Sequence, residues 1–150
     1  MAERKINGKS VVISIKQGAT YVMLVCQVEH NFDRSWEPIP ANSKCGDDQL
    51  PPDTGSYSIS GTAQVLLGDG PTMPDKISEA VVDQLARSKQ VFDWKMGPSA
   101  PVPVPGDVIY SGQGFFSNLN TSYPTGDVAT FDFTITVKGE YEQDIEPAAP

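Results

Sequence analysis

The stretch DVATFDFTITVKGE, residues 127–140, places an apolar side chain at every second position. The apolar positions are Phe131, Phe133, Ile135 and Val137. A period of two is typical of a β-strand with one buried face. The stretch SYSISGTAQVLL, residues 56–67, repeats the alternation. Two such strands predict a sheet with a core on one side and a polar surface on the other.

Other segments complete a mainly β pattern. Further strands are predicted at 11–16, 21–28, 91–96 and 108–119. Segment 21–28, YVMLVCQV, is apolar until Gln27, which predicts a strand covered on both faces by the core or by a neighbouring subunit. An amphipathic stripe predicts one helix over 75–90, capped by Asp75. We therefore expect two packed antiparallel sheets, sandwich-like or barrel-like, with one flanking α-helix and a long loop.

That loop is predicted over residues 29–54, which are polar, aperiodic and rich in proline. We expect it to be mobile, although it contains four large apolar side chains: Phe32, Trp36, Ile39 and Leu50. Either these side chains fold back on their own domain or they dock on another copy of the protein. The proline-rich run 98–107 predicts an extended connector. Residues 1–142 are expected to form one domain, followed by a disordered acidic tail, 143–150.

The formal charge of −8 is unevenly distributed. Residues 1–44 carry six Lys/Arg and four Asp/Glu, whereas residues 45–150 carry five Lys/Arg and fifteen Asp/Glu. A nucleic-acid-binding module needs a basic patch to contact phosphates, so this pattern does not favour that class. The acidity serves either solubility or complementarity between copies, with a mildly basic end meeting an acidic body.

The sequence gives no sign of secretion or membrane insertion. Residues 1–10 are polar and no apolar run approaches the length of a membrane span, so we expect neither a signal peptide nor a membrane partner. The two cysteines, Cys26 and Cys45, do not indicate a disulfide framework. A reduced, cytosolic environment is therefore expected.

No pattern of catalytic, cofactor-binding or metal-binding residues stands out. His30, the single histidine, lacks three convergent ligands with Cys26 and Asp33, so we expect it at a loop edge on the surface. The segment GDGPT, 68–72, lacks the Lys-Ser/Thr pair of a phosphate-binding loop. DTGS, 53–56, has no second copy, as an aspartic protease would need. No nucleophile has an evident base, so we predict no enzyme, no cofactor and no metal.

The order of elements resembles the major tail tube proteins of long-tailed (siphovirus-type) bacteriophages. The resemblance runs from KINGKSVVISI, 5–15, to TVKGEYE, 136–142, and is clearest in the C-terminal half. The matching motifs are Asn7-Gly8-Lys9 before the first strand, Gly112, Gly114 and Phe115 at a strand start, 127–130 before the closing strand, and Gly139 near its end. The proline run at 98–105 departs from the family pattern.

The resemblance implies a structural virion protein. Copies would join their sheets edge to edge into homo-hexameric rings, and the rings would stack into a tail tube that conducts genome DNA. The implied partners are the protein itself, a tape measure protein, and tail tip and tail terminator proteins. DNA would be transiting cargo that is not tightly bound. The protein would be made in the host bacterial cytoplasm and reside in the virion tail.

The resemblance also implies roles for two groups of residues. The loop that carries Phe32, Trp36, Ile39 and Leu50 would reach across rings. Polar strand positions would face the lumen, and the candidates are Ser58, Ser60, Thr134 and Thr136. A hydroxyl-lined wall lets phosphates slide, whereas a basic wall would hold them. Two other classes stay open: a monomeric immunoglobulin-like β-sandwich binding module, and a small β-barrel enzyme or ligand carrier with a pocket of titratable groups.

Overall fold

The computed structural model of the chain describes residues 11–24, 27–41, 43–52, 55–65, 77–98 and 104–147. The described strands are β1 (Val11–Gln17), β2 (Thr20–Met23), β3 (Gln27–Ser35), β4 (Ile39–Pro40), β5 (Gln49–Leu50), β6 (Ser56–Gln64), β7 (Phe92–Pro98), β8 (Val108–Ser122) and β9 (Thr130–Ile145). One helix, α1, spans Glu79–Arg87. The prediction of a mainly β protein with one helix is confirmed.

Seven strands form one antiparallel sheet in the order β2-β1-β7-β8-β9-β6-β3, and β4 and β5 form a small second sheet. β7 pairs with residues 110–114 of β8, whereas β6 pairs with residues 130–136 of β9. The large sheet therefore has two halves that share the long β8–β9 hairpin. Two register shifts interrupt this hairpin, between Ser111 and Gln113 and between Phe116 and Asn118. Such bulges bend strands and increase their twist.

The two halves pack their apolar faces together. Phe32 of β3 meets Trp94 of β7 edge to face, with ring centroids 5.8 Å apart. β3 and β7 are four positions apart in the sheet, which would separate them by about 19 Å if the sheet were flat. The sheet must therefore fold over on itself. The arrangement is sandwich-like, as the sequence predicts, although its layers come from one continuous sheet.

One side chain links the start of β3 to β1 and to the residue that follows β2. β2 ends at Met23 and β3 begins at Gln27, so the edge strands are nearly consecutive in the chain. The Gln27 side-chain amide accepts a hydrogen bond from the Ile13 N–H at 3.0 Å and donates to the carbonyls of Ile13 at 3.0 Å and Leu24 at 3.2 Å. The amide thus adds hydrogen bonds to β1 just beyond the last residue pair of β1 and β2, Ser14 with Met23.

The core is apolar and continuous. Its fully buried side chains include Ile13, Ile59, Trp94, Phe131 and Ile135. These residues come from β1, β6, β7 and β9, and β8 adds the buried Phe116. Burial follows the period of two: in β9, the alternating residues predicted to be apolar are buried and their neighbours are not.

α1 is shorter than the predicted helix. Its N-cap is Ser78, and Asp75, the predicted cap, lies outside the described residues. Ile77, which the stripe placed in the helix, instead bridges to Leu24. After the helix, Lys89 adopts a left-handed φ of 56° and donates its N–H to the Ala86 carbonyl, which closes the last turn. In the part of the chain that is described, no helix is long and apolar enough to cross a membrane.

Within the single chain, the core does not cover segment 21–28 on both faces, and cover by a neighbouring subunit stays a prediction. It is divided between β2 and β3, and Tyr21, Met23 and Val28 are exposed, with Val28 at 60%. A continuous run of apolar residues predicts burial. These residues lie at the edges of the sheet, however, where no second layer of the described chain covers the outer face. Cys26, expected in this strand, lies outside the described residues.

Regular strands replace parts of the predicted loop, connector and tail. β3 continues to Ser35 and pairs with β6, so the aperiodic segment starts later than residue 29. Pro98 belongs to β7 and pairs with Val11, whereas residues 99–103 are outside the described ranges. β9 extends into the predicted tail, and beyond it the Glu146 N–H donates to the Asp107 carbonyl at 2.8 Å. Sequence patterning missed these strands because few of their residues are apolar.

Candidate assembly surfaces

The outer face of β8, β9, β6 and β3 carries polar side chains in aligned rows. The backbone pairing of the four strands defines three rows: Asp33–Ser58–Thr136–Phe115, Asn31–Ser60–Thr134–Asn118 and Glu29–Thr62–Asp132–Asn120. Eleven of these twelve residues are polar and one, Phe115, is apolar; we call the set the polar grid. The four positions predicted to face a lumen lie at its centre as direct cross-strand pairs, Ser58 with Thr136 and Ser60 with Thr134.

Alternation with the core keeps the grid on the outer face. Ile59 and Phe133, which alternate with grid residues along β6 and β9, are fully buried or nearly so. Hydroxyl groups of the grid bond to neighbouring strands. Thr62 donates to the Asp132 carboxylate at 2.6 Å, and Thr136 donates to the Ser117 hydroxyl at 2.8 Å. These contacts add to the cross-strand pairing that holds the sheet together.

The grid carries negative charge only. Asp33, Glu29 and Asp132 contribute carboxylates, and none of the twelve residues is Lys or Arg. Arg34, although next to Asp33 in sequence, stacks its guanidinium over the Phe32 ring, 4.7 Å from the centroid. Lys138 lies in the adjacent row, paired with Gln113. The surface therefore offers hydroxyls, amides and carboxylates, together with the Phe115 ring at one end of the first row, to whatever faces it.

Phe32 is separate from the other three apolar residues of the predicted loop. It lies in β3 and packs edge to face against Trp94, Tyr110 and Tyr141, with centroid distances of 5.8, 5.3 and 5.1 Å. It is partly buried against the core. For this residue, the contacts favour folding back on its own domain.

Trp36, Ile39 and Leu50 are exposed at 52%, 46% and 50%, and we call them the apolar arm. Ile39 and Leu50 pair across the β4–β5 hairpin. Trp36 lies at the base of the arm and donates its indole N–H to the Tyr57 hydroxyl at 3.1 Å. The arm therefore presents apolar surface to solvent from an anchored base, which favours docking on another surface.

Tyr57 connects the arm to the closing strand. Its hydroxyl donates to the Glu140 carboxylate at 2.6 Å, and this bond raises the pKa of Tyr57 above the usual 10.0. Nearby, hydrogen bonds to Tyr141 and then to Tyr110 raise the pKa of Arg34. Aromatic rings with polar tips thus close this end of the sandwich.

His30 is half-buried within β3, not on the surface at a loop edge as predicted. It pairs with Gly61, where an added Cβ would lie 2.5 Å from the Glu29 carbonyl, so the two strands approach closely only because residue 61 is glycine. Burial lowers the pKa of His30 below its usual 6.5. Among the described residues, no three His, Cys, Asp or Glu side chains are grouped to hold a metal ion.

The cavities that open on the described surface include the following two. One, of about 360 Å³, lies between the β1–β2 turn and the end of α1 and is lined by Lys16, Gln90 and Asp93 among others. The other, of about 520 Å³, is lined by Arg34 and Tyr57 among others. The described lining residues include no histidine and no cysteine, so neither cavity offers the commonest general base or a thiol nucleophile.

Sequence reasoning missed the outer columns of the grid. Glu29, Asn31 and Asp33 were assigned to a loop, although alternation around the inward-facing Phe32 could have identified a strand. Asn118 and Asn120 lie after the bulge at Ser117, which shifts their alternation relative to the start of β8. A one-residue shift moves a whole run of side chains to the other face of the sheet. One uninterrupted alternation along β8 therefore assigns the residues after the bulge to the wrong face.

Solved structures of other proteins are similar to this fold. No protein-family model and no curated protein sequence matches the chain. The tail of an empty gene transfer agent particle with C6 symmetry is similar over 92% of this chain and 98% of that chain, at 16% identity and a TM-score of 0.70. The SPP1 tail tube is similar over 95% and 81%, at 9% identity and a TM-score of 0.73.

A third similar structure is the sheath–tube complex of the extracellular contractile injection system PVC. The similarity covers 95% of this chain and 93% of that chain, at 14% identity and a TM-score of 0.68. The similarity covers nearly the whole chain, so it establishes the architecture despite the low sequence identity. This chain has the fold of the tail tube proteins.

Proposed function

We propose that the protein is the major subunit of a phage-type tail tube. Copies assemble into homo-hexameric rings, the rings stack, and the resulting tube conducts genome DNA. The observation that carries this proposal is the polar grid, a four-stranded face of hydroxyls, amides and carboxylates on a tail-tube fold. The C6 symmetry of the gene transfer agent tail supports the ring size.

The chemistry of the grid suits a pore for DNA. Each copy contributes three carboxylates and no Lys or Arg, so six copies would place eighteen negative charges around the lumen. Phosphates bind proteins chiefly through Lys and Arg, with release of counterions. At physiological salt, repulsion acts over about 8 Å, which keeps the duplex off the wall without blocking the tube. DNA would therefore pass as cargo and not remain bound.

The apolar arm would dock on a neighbouring copy. Trp36, Ile39 and Leu50 are about half exposed in the single chain, and large side chains of this kind are typical of buried interface centres. Docking would remove them from water while the hydrogen bond from Trp36 to Tyr57 keeps the base of the arm in place. The segment around β4 and β5 would be mobile before docking and ordered afterwards.

The remaining assignments follow from the tail role. The tube would enclose a tape measure protein and contact tail tip and tail terminator proteins at its ends. The protein would be made in the host bacterial cytoplasm and be located in the virion tail. It would act without catalysis and without a cofactor. It would form one domain, because seven of the nine described strands, from β1 to β9, belong to a single sheet.

The test is the association of the purified full-length protein. We expect light scattering to detect small species in dilute solution and large ones on concentration or on seeding with tail tips. Negative-stain electron microscopy should then show six-fold rings and tubes. A monomeric binding module predicts a single small species throughout. Monomers at every concentration, with and without seeds, would rule out the tube proposal.

A further inference from the structure

We infer that Arg34 is the centre of a carboxylate-binding site, and that the site receives an acidic side chain, Asp47 or Asp48, from the β4–β5 hairpin of a neighbouring copy. The inference rests on the proposed function, because it names a group that would hold the docked arm. It gives the arm a polar contact of defined chemistry in addition to its apolar side chains.

Aromatic rings hold the Arg34 guanidinium at the end of the sandwich. Its central carbon lies 4.7 Å from the centroid of the Phe32 ring and 5.4 Å from that of Tyr110. Hydrogen bonds to Tyr141 and then to Tyr110 raise the pKa of Arg34, so the group is charged at physiological pH. These contacts restrain the side chain before a partner arrives, which lowers the entropy cost of binding.

No carboxylate neutralises Arg34 within the described part of the chain, where the ion pair that forms is that of Arg87 with Asp83. Asp33, the neighbour of Arg34 in the sequence, lies in the polar grid on the outer face. The Glu140 carboxylate accepts the hydrogen bond from Tyr57. A guanidinium has five N–H donors, and its flat fork fits the two oxygens of a carboxylate. The site can therefore bind an acid that comes from outside the chain.

The β4–β5 hairpin carries two exposed carboxylates close to its apolar side chains. Asp47 and Asp48 lie between the turn at 43–46 and Leu50. The Asp48 carbonyl accepts the Ala41 N–H at 2.8 Å, so the hairpin holds Asp48 opposite Ala41. Neither aspartate forms an ion pair with a described residue. An arm that docks would thus bring acidic groups to the neighbour together with apolar ones.

The reach of the hairpin suits a neighbour in the same ring. In a ring lined by four strands of each copy, strands about 4.8 Å apart separate equivalent points of adjacent copies by about 19 Å. Ala41 is seven residues after Arg34, so an extended chain can carry the paired Asp48 up to about 23 Å from its own Arg34. Rotation about the ring axis keeps the base of the arm and the neighbour's site at the same level.

Charge exchange tests the contact in the full-length protein. Arg34→Glu should raise the protein concentration needed for ring formation about tenfold or more, because carboxylates would then face each other. Adding Asp47→Arg or Asp48→Arg to Arg34→Glu should restore assembly in at least one of the two combinations. Arg87→Glu makes the same charge change at an exposed pair on α1 and should leave assembly unchanged. Sedimentation over a concentration series measures all of these variants.

A crosslink provides a second measurement without charge reversal. In rings of Arg34→Lys protein, a zero-length carbodiimide should join position 34 to Asp47 or Asp48. Mass spectrometry of rings made from mixed isotope-labelled and unlabelled protein shows whether the join is between copies. This variant keeps the charge, so the crosslink alone decides the matter if Arg34→Glu does not fold.

Restored assembly in either exchange, or a crosslink between copies, supports the site. If wild-type protein forms rings but Arg34→Glu assembles at the same concentration, the inference is wrong while the tube proposal stands. The same conclusion follows if neither exchange restores assembly and no crosslink forms between copies. If wild-type protein forms no rings, the proposed function itself fails.

Discussion

The Tyr57 hydroxyl donates a 2.6 Å hydrogen bond to the Glu140 carboxylate, 83 residues further along the chain. The same hydroxyl accepts the indole N–H of Trp36 at 3.1 Å. Three segments are thereby joined at one point: the base of the apolar arm, β6 and the bulged part of β9. Within a tube, this point would connect the arm to the sheet that carries the polar grid.

Removing that hydroxyl should loosen the arm. Tyr57→Phe leaves the Trp36 N–H and the Glu140 carboxylate without their shared partner, so we expect a lower melting temperature and a shifted Trp fluorescence spectrum. Tyr123→Phe is the matched control, because Tyr123 is 74% exposed. Equal effects of the two substitutions would show that the Tyr57 bonds contribute nothing specific.

The raised pKa of Tyr57 gives a prediction at high pH. The folded state holds the phenolic proton more tightly than the unfolded chain does, so the free energy of unfolding should fall as the pH rises above 10.0. Tyr57→Phe should remove that part of the pH dependence. Denaturation series in alkaline buffers measure it, and an unchanged slope in the variant would contradict the assignment.

Gln27→Glu should destabilise the monomer by about 2–4 kcal/mol, because the Leu24 carbonyl loses its donor, the Ile13 carbonyl keeps only the Leu24 N–H, and both then face a carboxylate. Urea denaturation measures the change. Gln113→Glu, at an exposed position paired with Lys138, is the control and should change stability by less than about 0.5 kcal/mol. A Gln27 variant as stable as the control would mean that the sheet edges do not need this side chain.

His30 predicts a pH dependence on the acid side. Burial lowers its folded-state pKa, so the unfolded chain binds the proton more readily once the pH falls below 6.5. The free energy of unfolding should therefore decrease as the pH falls from above 6.5 through the folded-state pKa. His30→Gln should flatten this slope in a series of denaturation curves, and chelators should have no effect. Parallel slopes for both proteins would refute the prediction.

Much of the fold could be predicted because one signal, alternation, marks the strands that face the core on one side only. The alternation predicts the buried residues of β6 and β9 for this reason, although not the C-terminal end of either strand. β3 was not, because of its inward-facing residues only Phe32 is large and apolar, and Arg34 covers that ring. The position and register of edge strands and bulges depend on the strands with which they pair, and the sequence of one segment does not reveal those partners.

The common outer face of the four candidate lumen positions is predicted for the same reason, whereas their place in a lumen stays a prediction. Ser58, Ser60, Thr134 and Thr136 follow directly from the period of β6 and β9, and the structure brings them together as pairs. Asn31 and Asn118 complete the same row but depend on the register of β3 and on the bulge at Ser117. The separation of Phe32 from the apolar arm likewise required long-range contacts.

Assembly and folding should respond differently to substitutions along the predicted loop. Trp36→Ser combined with Ile39→Ser should reduce tube formation strongly, because both side chains are about half exposed, with a smaller loss of monomer stability. Phe32→Ser should instead destabilise the monomer by about 3 kcal/mol, since it removes a ring packed on Trp94. Denaturation and sedimentation separate the two effects. Equal losses of folding and assembly in the double variant would place the arm in the monomer core.

Assembled tubes should retain DNA only when the grid is made basic. Wild-type tubes should bind duplex DNA poorly, whereas Ser60→Lys or Thr134→Lys should give retention that weakens steeply with salt. Gln90→Lys adds the same charge outside the grid and should have no such effect. A filter-binding assay across a salt series measures this. Tight, salt-sensitive binding by wild-type protein would indicate a basic surface and a nucleic-acid-binding role.

The most direct test of the central claim is an electron cryomicroscopy reconstruction of tubes grown from the purified full-length protein. The account predicts six-fold rings whose lumen is lined by the row Asn31, Ser60, Thr134 and Asn118, repeated around the pore. A tube lined by another face of the sheet, or a protein that remains monomeric under every assembly condition, would contradict it.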